Sequence, residues 1–315
     1  MTSIDPVVLF FVLGLAAGLS RSELRLPSSI YDFLTVLLLL AIGLKGGVEL
    51  ATQPFYSLLP QMVAVVLMGV ILTLIAYPVL RYVGRFERVD AASIAAHYGS
   101  VSVGTFAVAV AYLMSHQIAF EPHMPLFVVL LEIPAIVVGV VLARGITRET
   151  RWGRLAHETL LGKSIVLLVG GLLIGWMTGP KAVESLGGLF FQPFKGVLAL
   201  FLLEMGLLCA AQIGALRRHG LFLLGFGVGM PILGAVLGSV VGWLIGLSPG
   251  GTMLLATLAG SASYIAVPAA IRLSVPEANP SLSLAASLGV TFPFNVTVGI
   301  PLYLEMARLI HGMEV

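Results

Sequence analysis

Charge is what this chain has least of. Of its 315 residues only 10 % are Asp, Glu, Lys or Arg, while 58 % are hydrophobic and the mean hydropathy is +1.05. A soluble domain carries about 25 % charged residues, so this chain has too few to cover a globule of its size with solvated surface. That excludes an ordinary soluble enzyme, a nucleic-acid binder and a disordered scaffold, and it leaves lipid as the solvent. Cysteine is nearly absent as well. The lone Cys209 excludes an internal disulfide and a cysteine-built metal cluster. The net charge of +2 is too small to draw in an anionic polymer. Phosphate-cradling loops, nucleophile elbows and zinc helices are also missing, so the sequence predicts neither an enzyme nor an ATP-driven pump, and no cofactor.

Apolar runs are abundant. They fall at about 5–20, 29–46, 57–81, 90–115, 125–144, 164–179, 194–213, 221–246, 251–271 and 281–306. A spanning helix needs about 20 apolar residues, and none of the runs alternates with the period of a barrel strand. The reading is an all-α integral membrane protein of ten helices, with membrane lipid as its partner. The first run, Pro6 to Leu19, resembles a signal-peptide core. Its flank carries Asp5 and no Lys or Arg, and no small-residue cleavage site follows, so it reads as the first membrane helix. Thirteen of the seventeen Lys and Arg fall in the odd-numbered connections, and only Lys45, Lys181, Lys195 and Arg308 fall elsewhere. Cationic loops stay cytoplasmic, which predicts both termini outside. The last run is dense in Ser, Thr and Pro and should be buried among its neighbours. The longest polar stretch, Arg144–Lys163, with Trp152, Arg154 and His157, reads as a cytoplasmic linker lying on anionic lipid; a docking site for a regulator is the sharper reading.

The two halves, 1–155 and 156–315, repeat. Val8–Gly18 resembles Val166–Gly175, and Ile42-Gly43-Leu44 matches Met205-Gly206-Leu207. Gly99-Ser100-Val101-Ser102 matches Gly260-Ser261-Ala262-Ser263, and Ile133-Pro134 with Gly139 matches Phe292-Pro293 with Gly299. Five spans per repeat is an odd number, so the second half enters from the opposite side. This predicts an inverted five-plus-five repeat, the architecture of many secondary transporters.

In such folds the substrate sits near midplane, where one helix of each half is broken. Helix 4 carries Gly99, Ser100, Val101, Ser102, Gly104 and Thr105; helix 9 carries Gly260, Ser261, Ala262, Ser263 and Tyr264, with Pro268 beyond. These are poor helix formers at matching points. Each half-helix N-terminus offers unpaired N–H groups and about half a positive charge. Two of them, with the hydroxyls of Ser100, Ser102, Thr105, Ser261 and Ser263, suit a small monoanion. Ionisable groups inside spans are costly. Glu132, in Leu131-Glu132-Ile133-Pro134, is therefore the candidate to hold Na⁺ or a proton, with Asn295 and Thr297 offering neutral oxygens to the same ion. Glu204 also lies mid-helix. His97 reads as a buried histidine bonded to backbone, and Lys45 as a side chain reaching for the outer interface. His116 and His123 are too isolated to suggest a metal.

At these residues the chain resembles the sodium-dependent bicarbonate transporters of cyanobacteria, the SbtA-type permeases. The resemblance covers nearly the whole chain. It is clearest in Ile42–Gly47, Gly99–Thr105, Glu132–Pro134, and from Pro268–Arg272 to Pro276–Pro280. It implies a gate part (helices 1, 2, 6 and 7), a core part (3–5 and 8–10), a homotrimer, and bicarbonate with Na⁺ held between the broken helices. The family pattern in helix 9 runs Ser-Ser-Ser-Asp-Ile-Ser-Gly-Pro-Pro. Here Tyr264 stands in place of the acid, Ala266 and Val267 in place of Ser and Gly, and, in helix 4, Gly104 in place of Ser. The middle loop is also shorter, which weakens the expectation of a PII-like, nucleotide-sensing cytoplasmic partner.

The leading expectation is thus Na⁺-coupled transport of bicarbonate or a similar small monovalent anion. Two alternatives stand beside it. One is the same scaffold carrying another small organic anion with H⁺ through Glu132, favoured by Tyr264. The other is a non-transporting membrane receptor or scaffold with the basic linker as its output.

Overall fold

Glycine, proline and serine cut the apolar sequence into helices, because each weakens or interrupts the helical ladder where it falls. The computed structural model describes residues 6–51, 58–145 and 152–313, and among them it contains helices and no strand. In chain order these are α1 (Pro6–Leu19), α2 (Ser28–Leu50), α3 (Leu59–Val83), α4 (Arg88–Gly99), α5 (Val103–Ser115), α6 (Met124–Arg144), α7 (Trp152–Leu160) and α8 (Lys163–Glu184). After them come α9 (Gly187–Phe190), α10 (Phe194–Leu244), α11 (Pro249–Ala259), α12 (Ala266–Ser274) and α13 (Pro280–Ile310).

Eight segments among the described residues are long and apolar enough to cross a membrane: α2, α3, α4 with α5, α6, α8, the two arms of α10, and α13. The shorter α1 is also apolar. The arms of α10 join at Gly220, whose φ of 83° is open to glycine but strained for other residues. The apolar stretches at 90–115 and 251–271 are each interrupted. Ser100 to Ser102 leave the helical conformation between α4 and α5, and residues 260–265 separate α11 from α12.

Helices facing lipid show apolar side chains outward. Val63, Leu67, Ile71 and Leu74 form such a stripe on α3, at the spacing that puts residues on one helix face. By contrast, the apolar window of Arg88–Ser115 is 100 % buried, which makes the first interrupted segment the innermost one. Much of α13 is buried too, as its Ser, Thr and Pro content predicts.

Packing is closest where glycine lets backbones touch. On the α1–α10 interface Gly14 lies against the Leu203 carbonyl and Gly206 against the Phe11 carbonyl. On the α2–α8 interface Gly43 lies against the Leu168 carbonyl, Gly47 against that of Leu172, and Gly175 against that of Leu44.

Contacts sort the connections into two ends. At one, Lys163 pairs with Asp32 at 2.6 Å, Arg144 with Glu277 at 2.6 Å, Arg88 Nε donates to the Leu142 carbonyl, and Asp90 accepts the Asn279 N–H. At the other, Ser248 donates to Glu121, Gln61 to the Ile245 carbonyl, and Thr252 meets His311. The basic linker is therefore pinned at both margins by carboxylates, and α7 packs on α8 and α12. Arg148 and Arg151, counted above in that linker, lie outside the described residues. The Arg144 guanidinium holds the Glu277 carboxylate below its usual range. Its small contribution to stability is thus present near neutrality and lost as pH falls through that lowered pKa.

A methyl group added at a backbone contact must push two helices apart. Gly14→Ala and Gly47→Ala should each destabilise the folded protein by about 1–3 kcal/mol, read as a lower melting temperature in detergent. Gly153→Ala, with open space around its Cα, should leave that temperature unchanged.

Candidate functional site

The two interruptions meet. The Ser102 N–H donates to Ser261 Oγ at 2.9 Å, and the Ser263 N–H donates to the His97 carbonyl at 2.8 Å. Each break thus satisfies a backbone donor of the other, as a chain that leaves the helix inside lipid must. Both sit on neighbouring helices through their glycines: Gly99 abuts the Gly69 carbonyl, and Gly260 abuts the carbonyl of Pro231. Val101 and Ala262, at the middle of the matching motifs, are buried.

Local chemistry explains where the helices restart. Ser102 is the N-cap of α5, with its Oγ accepting the Thr105 N–H at 3.0 Å and the Thr105 hydroxyl at 2.8 Å. Ser263 Oγ accepts the Val267 N–H at 3.3 Å at the start of α12. Ser261 is fully engaged: its hydroxyl donates to the Leu258 carbonyl while accepting from Ser102. Ser100 differs from all of these, being 1 % exposed with an Oγ that has no hydrogen-bond partner. Of the five hydroxyls named from sequence, Ser100 is therefore the unengaged one. Ser102 and Ser263 act as caps that keep their own O–H, and Ser261 and Thr105 are donors already placed.

Tyr264 and Gly104 form a pair that sequence reading missed. The Tyr264 hydroxyl is buried, faces Ser102 without reaching bonding geometry, and rests against the Cα of Gly104. A Cβ at position 104 would collide with that hydroxyl and with the Phe201 ring. The two residues thus form one local adjustment, in which the glycine makes room for the phenol. Around it the Tyr264 ring packs edge-on to Phe292 at 5.5 Å, Phe11 edge-on to Phe292 at 5.8 Å, and Tyr31 stacks on Phe201 at 5.6 Å.

On the α5 side of the breaks lies a cavity of about 640 Å³. Ile42, Lys45 and Glu49 of α2 line it with Phe106 and Val110 of α5, and Gln117, Phe120, Glu184 and Phe191 near its rim. Phe106 follows Thr105 directly, so the cavity reaches the first turn of α5. Lys45 turns into this cavity. Its volume far exceeds a small anion, and we refer to it as the antechamber.

The coupling candidates fare unequally. Glu132 is 2 % exposed and its Oε2 has no partner. Its neighbour Leu131 meets Gly69, which also abuts the Gly99 carbonyl at the first break. Pro134, inside α6, has no N–H to offer the Leu130 carbonyl. Asn295 is buried but already committed: its Nδ2 donates to the Gly260 carbonyl at 2.8 Å and its Oδ1 accepts the Tyr303 hydroxyl at 2.6 Å. It braces the second break. Thr297 does not belong with them, because its side chain is exposed and its hydroxyl donates to the Pro293 carbonyl on its own helix. Glu204 is buried with an unpartnered Oε2. His116 bonds the Tyr112 carbonyl, and no group of three or more metal-ligating side chains occurs among the described residues.

A chain whose described residues form helices and no strand, with eight apolar segments of spanning length, one of them interrupted, is a multi-pass membrane protein. It matches the Na⁺-dependent bicarbonate transporter superfamily over residues 6–308, nearly its whole length, and belongs to that family. A search of curated proteins finds no match. Membership in a transporter family implies a non-enzymatic role.

The Tyr264–Gly104 contact makes a double-mutant cycle decisive. Gly104→Ala should destabilise by about 1–3 kcal/mol, and adding Tyr264→Phe should recover most of that loss, because the clashing oxygen is gone. Additive melting-temperature changes would show that the two positions do not touch.

Proposed function

We propose that the protein is a secondary active transporter that carries bicarbonate, or a similar small monovalent anion, together with Na⁺ across a cell's inner or plasma membrane. The observation that carries the reading is the meeting of the two breaks at Ser102–Ser261 and Ser263–His97. The N–H groups of Val103 and Gly104, in the first turn of α5, have no intrahelical partner. With the Ser100 hydroxyl and the N-terminal partial charge they make a neutral nest of donors. Among the described residues no Lys or Arg is buried, so a monoanion is matched and a dianion is not. Gly99, Ser100, Val101, Ser102, Gly104 and Thr105 would form one wall, and Gly260 to Tyr264 the other.

Two further features support ten spans in an inverted repeat, 1–155 and 156–315. The Gly43 contact with Leu168 and Gly171 has the same form as the Gly206 contact with Phe11 and Gly14, and these pairs occupy matching positions of the two halves. Likewise Gly99 on the Gly69 carbonyl mirrors Gly260 on that of Pro231. The cationic connections gather at one end, which favours termini outside. In this reading α1, α2, α8 and the first arm of α10 form the gate, the rest forms the core, and three copies assemble. A PII-like regulator, if one binds, would meet the cationic end.

Glu132 is our candidate for the coupling ion, because a buried carboxylate with an unpartnered oxygen suits a hard cation. Tyr264 favours a second reading, in which Glu132 carries H⁺ and the cargo is another small organic anion, since a phenol supplies no charge for Na⁺.

Uptake of radiolabelled bicarbonate by purified protein in liposomes at pH 8, with and without an inward Na⁺ gradient, tests the proposal. Na⁺-dependent uptake is expected, and none from folded, inserted protein would discard the bicarbonate assignment. Glu132→Gln should abolish cation dependence; intact Na⁺ dependence would make Glu132 structural. Ser100→Ala should weaken anion binding roughly tenfold, the value of one hydrogen bond, with no change in melting temperature.

A further inference from the structure

The antechamber opens onto the α5 side of the first break, whereas a second, smaller cavity lies on the α4 side. It measures about 60 Å³, and its lining includes Ser93 and His97 of α4, Ser283 of α13, Arg272 of α12, and the prolines Pro268, Pro276 and Pro280. Ser93 and His97 precede Ser100–Ser102 in the same interrupted segment, and Phe106 and Val110 follow it. The two cavities therefore flank the breaks along one chain direction. An anion leaving the antechamber through the breaks would next meet the small cavity.

Its chemistry is specific. His97 is 1 % exposed and its Nδ1 lies 2.7 Å from the Ser93 carbonyl. A carbonyl cannot donate, so Nδ1 carries the proton, and in the neutral ring Nε2 is an acceptor. That Nε2 is buried without a partner. The prolines beside it have no N–H to give. Ser93 Oγ and Ser283 Oγ share one hydrogen bond at 3.0 Å, which uses one of their two hydroxyl protons. Arg272 is the charged residue of the lining, and no carboxylate lines it. The residues that line the cavity thus bring together a cation, a hydroxyl donor and a histidine whose buried acceptor lacks an O–H or N–H partner.

We propose that this cavity is a second station for the transported anion, selective for an oxyanion that carries its own O–H. Hydrogen carbonate fits that description: its O–H donates to His97 Nε2 while its other oxygens face Arg272 and the serine hydroxyls. Nitrate, planar and singly charged but lacking a proton, leaves Nε2 unsatisfied. The inference rests on the transport reading above and adds to it a residue that sets the choice of anion. It also links the station to the breaks, because the His97 carbonyl holds the Ser263 N–H.

The test uses the intact protein in liposomes, with radiolabelled bicarbonate and nitrate as competitor. Wild type should take up bicarbonate and be poorly inhibited by nitrate. His97→Asn, which keeps a donor for the Ser93 carbonyl but lacks the Nε2 acceptor, should lower the preference for bicarbonate over nitrate roughly tenfold, the value of one hydrogen bond. Arg272→Gln should weaken both anions alike. Unchanged preference in folded His97→Asn overturns the proposal. A second measurement needs no variant: solid-state NMR of ¹⁵N-histidine-labelled wild type with ¹³C-bicarbonate should show dipolar coupling between the carbonate carbon and one Nε2. Uptake without that coupling sinks the station and leaves transport standing, as a cavity that holds water only would. Absence of uptake by wild type removes the transport reading itself.

Discussion

A helix that breaks inside lipid releases backbone donors and acceptors with no water to receive them. The rest of this structure depends on how that demand is met. Ser102 and Ser263 give their N–H groups to the opposite break and their oxygens to the helix that restarts beyond. Asn295 holds the carbonyl of Gly260, and Tyr303 in turn holds Asn295. Once those groups are mutually satisfied, the few donors left over, chiefly Ser100 and the first N–H groups of α5, stand out as unengaged.

The breaks are held by an unusually close scaffold. Carbonyl-on-glycine contacts fix α1 to the first arm of α10 and α2 to α8, while Gly69 and Pro231 present their carbonyls to the break glycines. Small residues are needed there because association of helices in lipid relies on packing, with no hydrophobic drive between them. Two tightly coupled helix pairs are thus set against an interrupted core. The antechamber lies along the boundary between α2 and α5.

Tyr264 shows how tertiary context changes the meaning of a substitution. Read alone, it is an acid lost from a cation site. In the structure its hydroxyl rests on Gly104 and its ring packs edge-on to Phe292, which in turn meets Phe11. The phenol and the glycine form one contact, 160 residues apart in the chain.

Much was legible in the sequence because lipid imposes simple rules. Hydropathy placed the apolar segments to within a few residues, and Gly99–Ser102 and Gly260–Ser263 marked the breaks because poor helix formers there have no other use. The same composition argument excluded a soluble enzyme. What hydropathy could not tell was which hydroxyl is engaged. Ser100, Ser102 and Ser261 are the same residue in the same motif, and only the geometry separates an idle hydroxyl from a cap and from a bridge. Thr297 looked like a partner of Asn295 from spacing alone, yet it lies on the outward face of α13. His97 looked like an ordinary buried histidine, and its Nδ1 is bonded as one, but its Nε2 has no partner, and the residue lines a cavity with three prolines from distant segments. Local sequence determines where a chain enters lipid and where its helix fails, since both follow from transfer energy and backbone propensity. Which polar atoms remain unpartnered depends on contacts between segments far apart in sequence, and that only the tertiary structure decided.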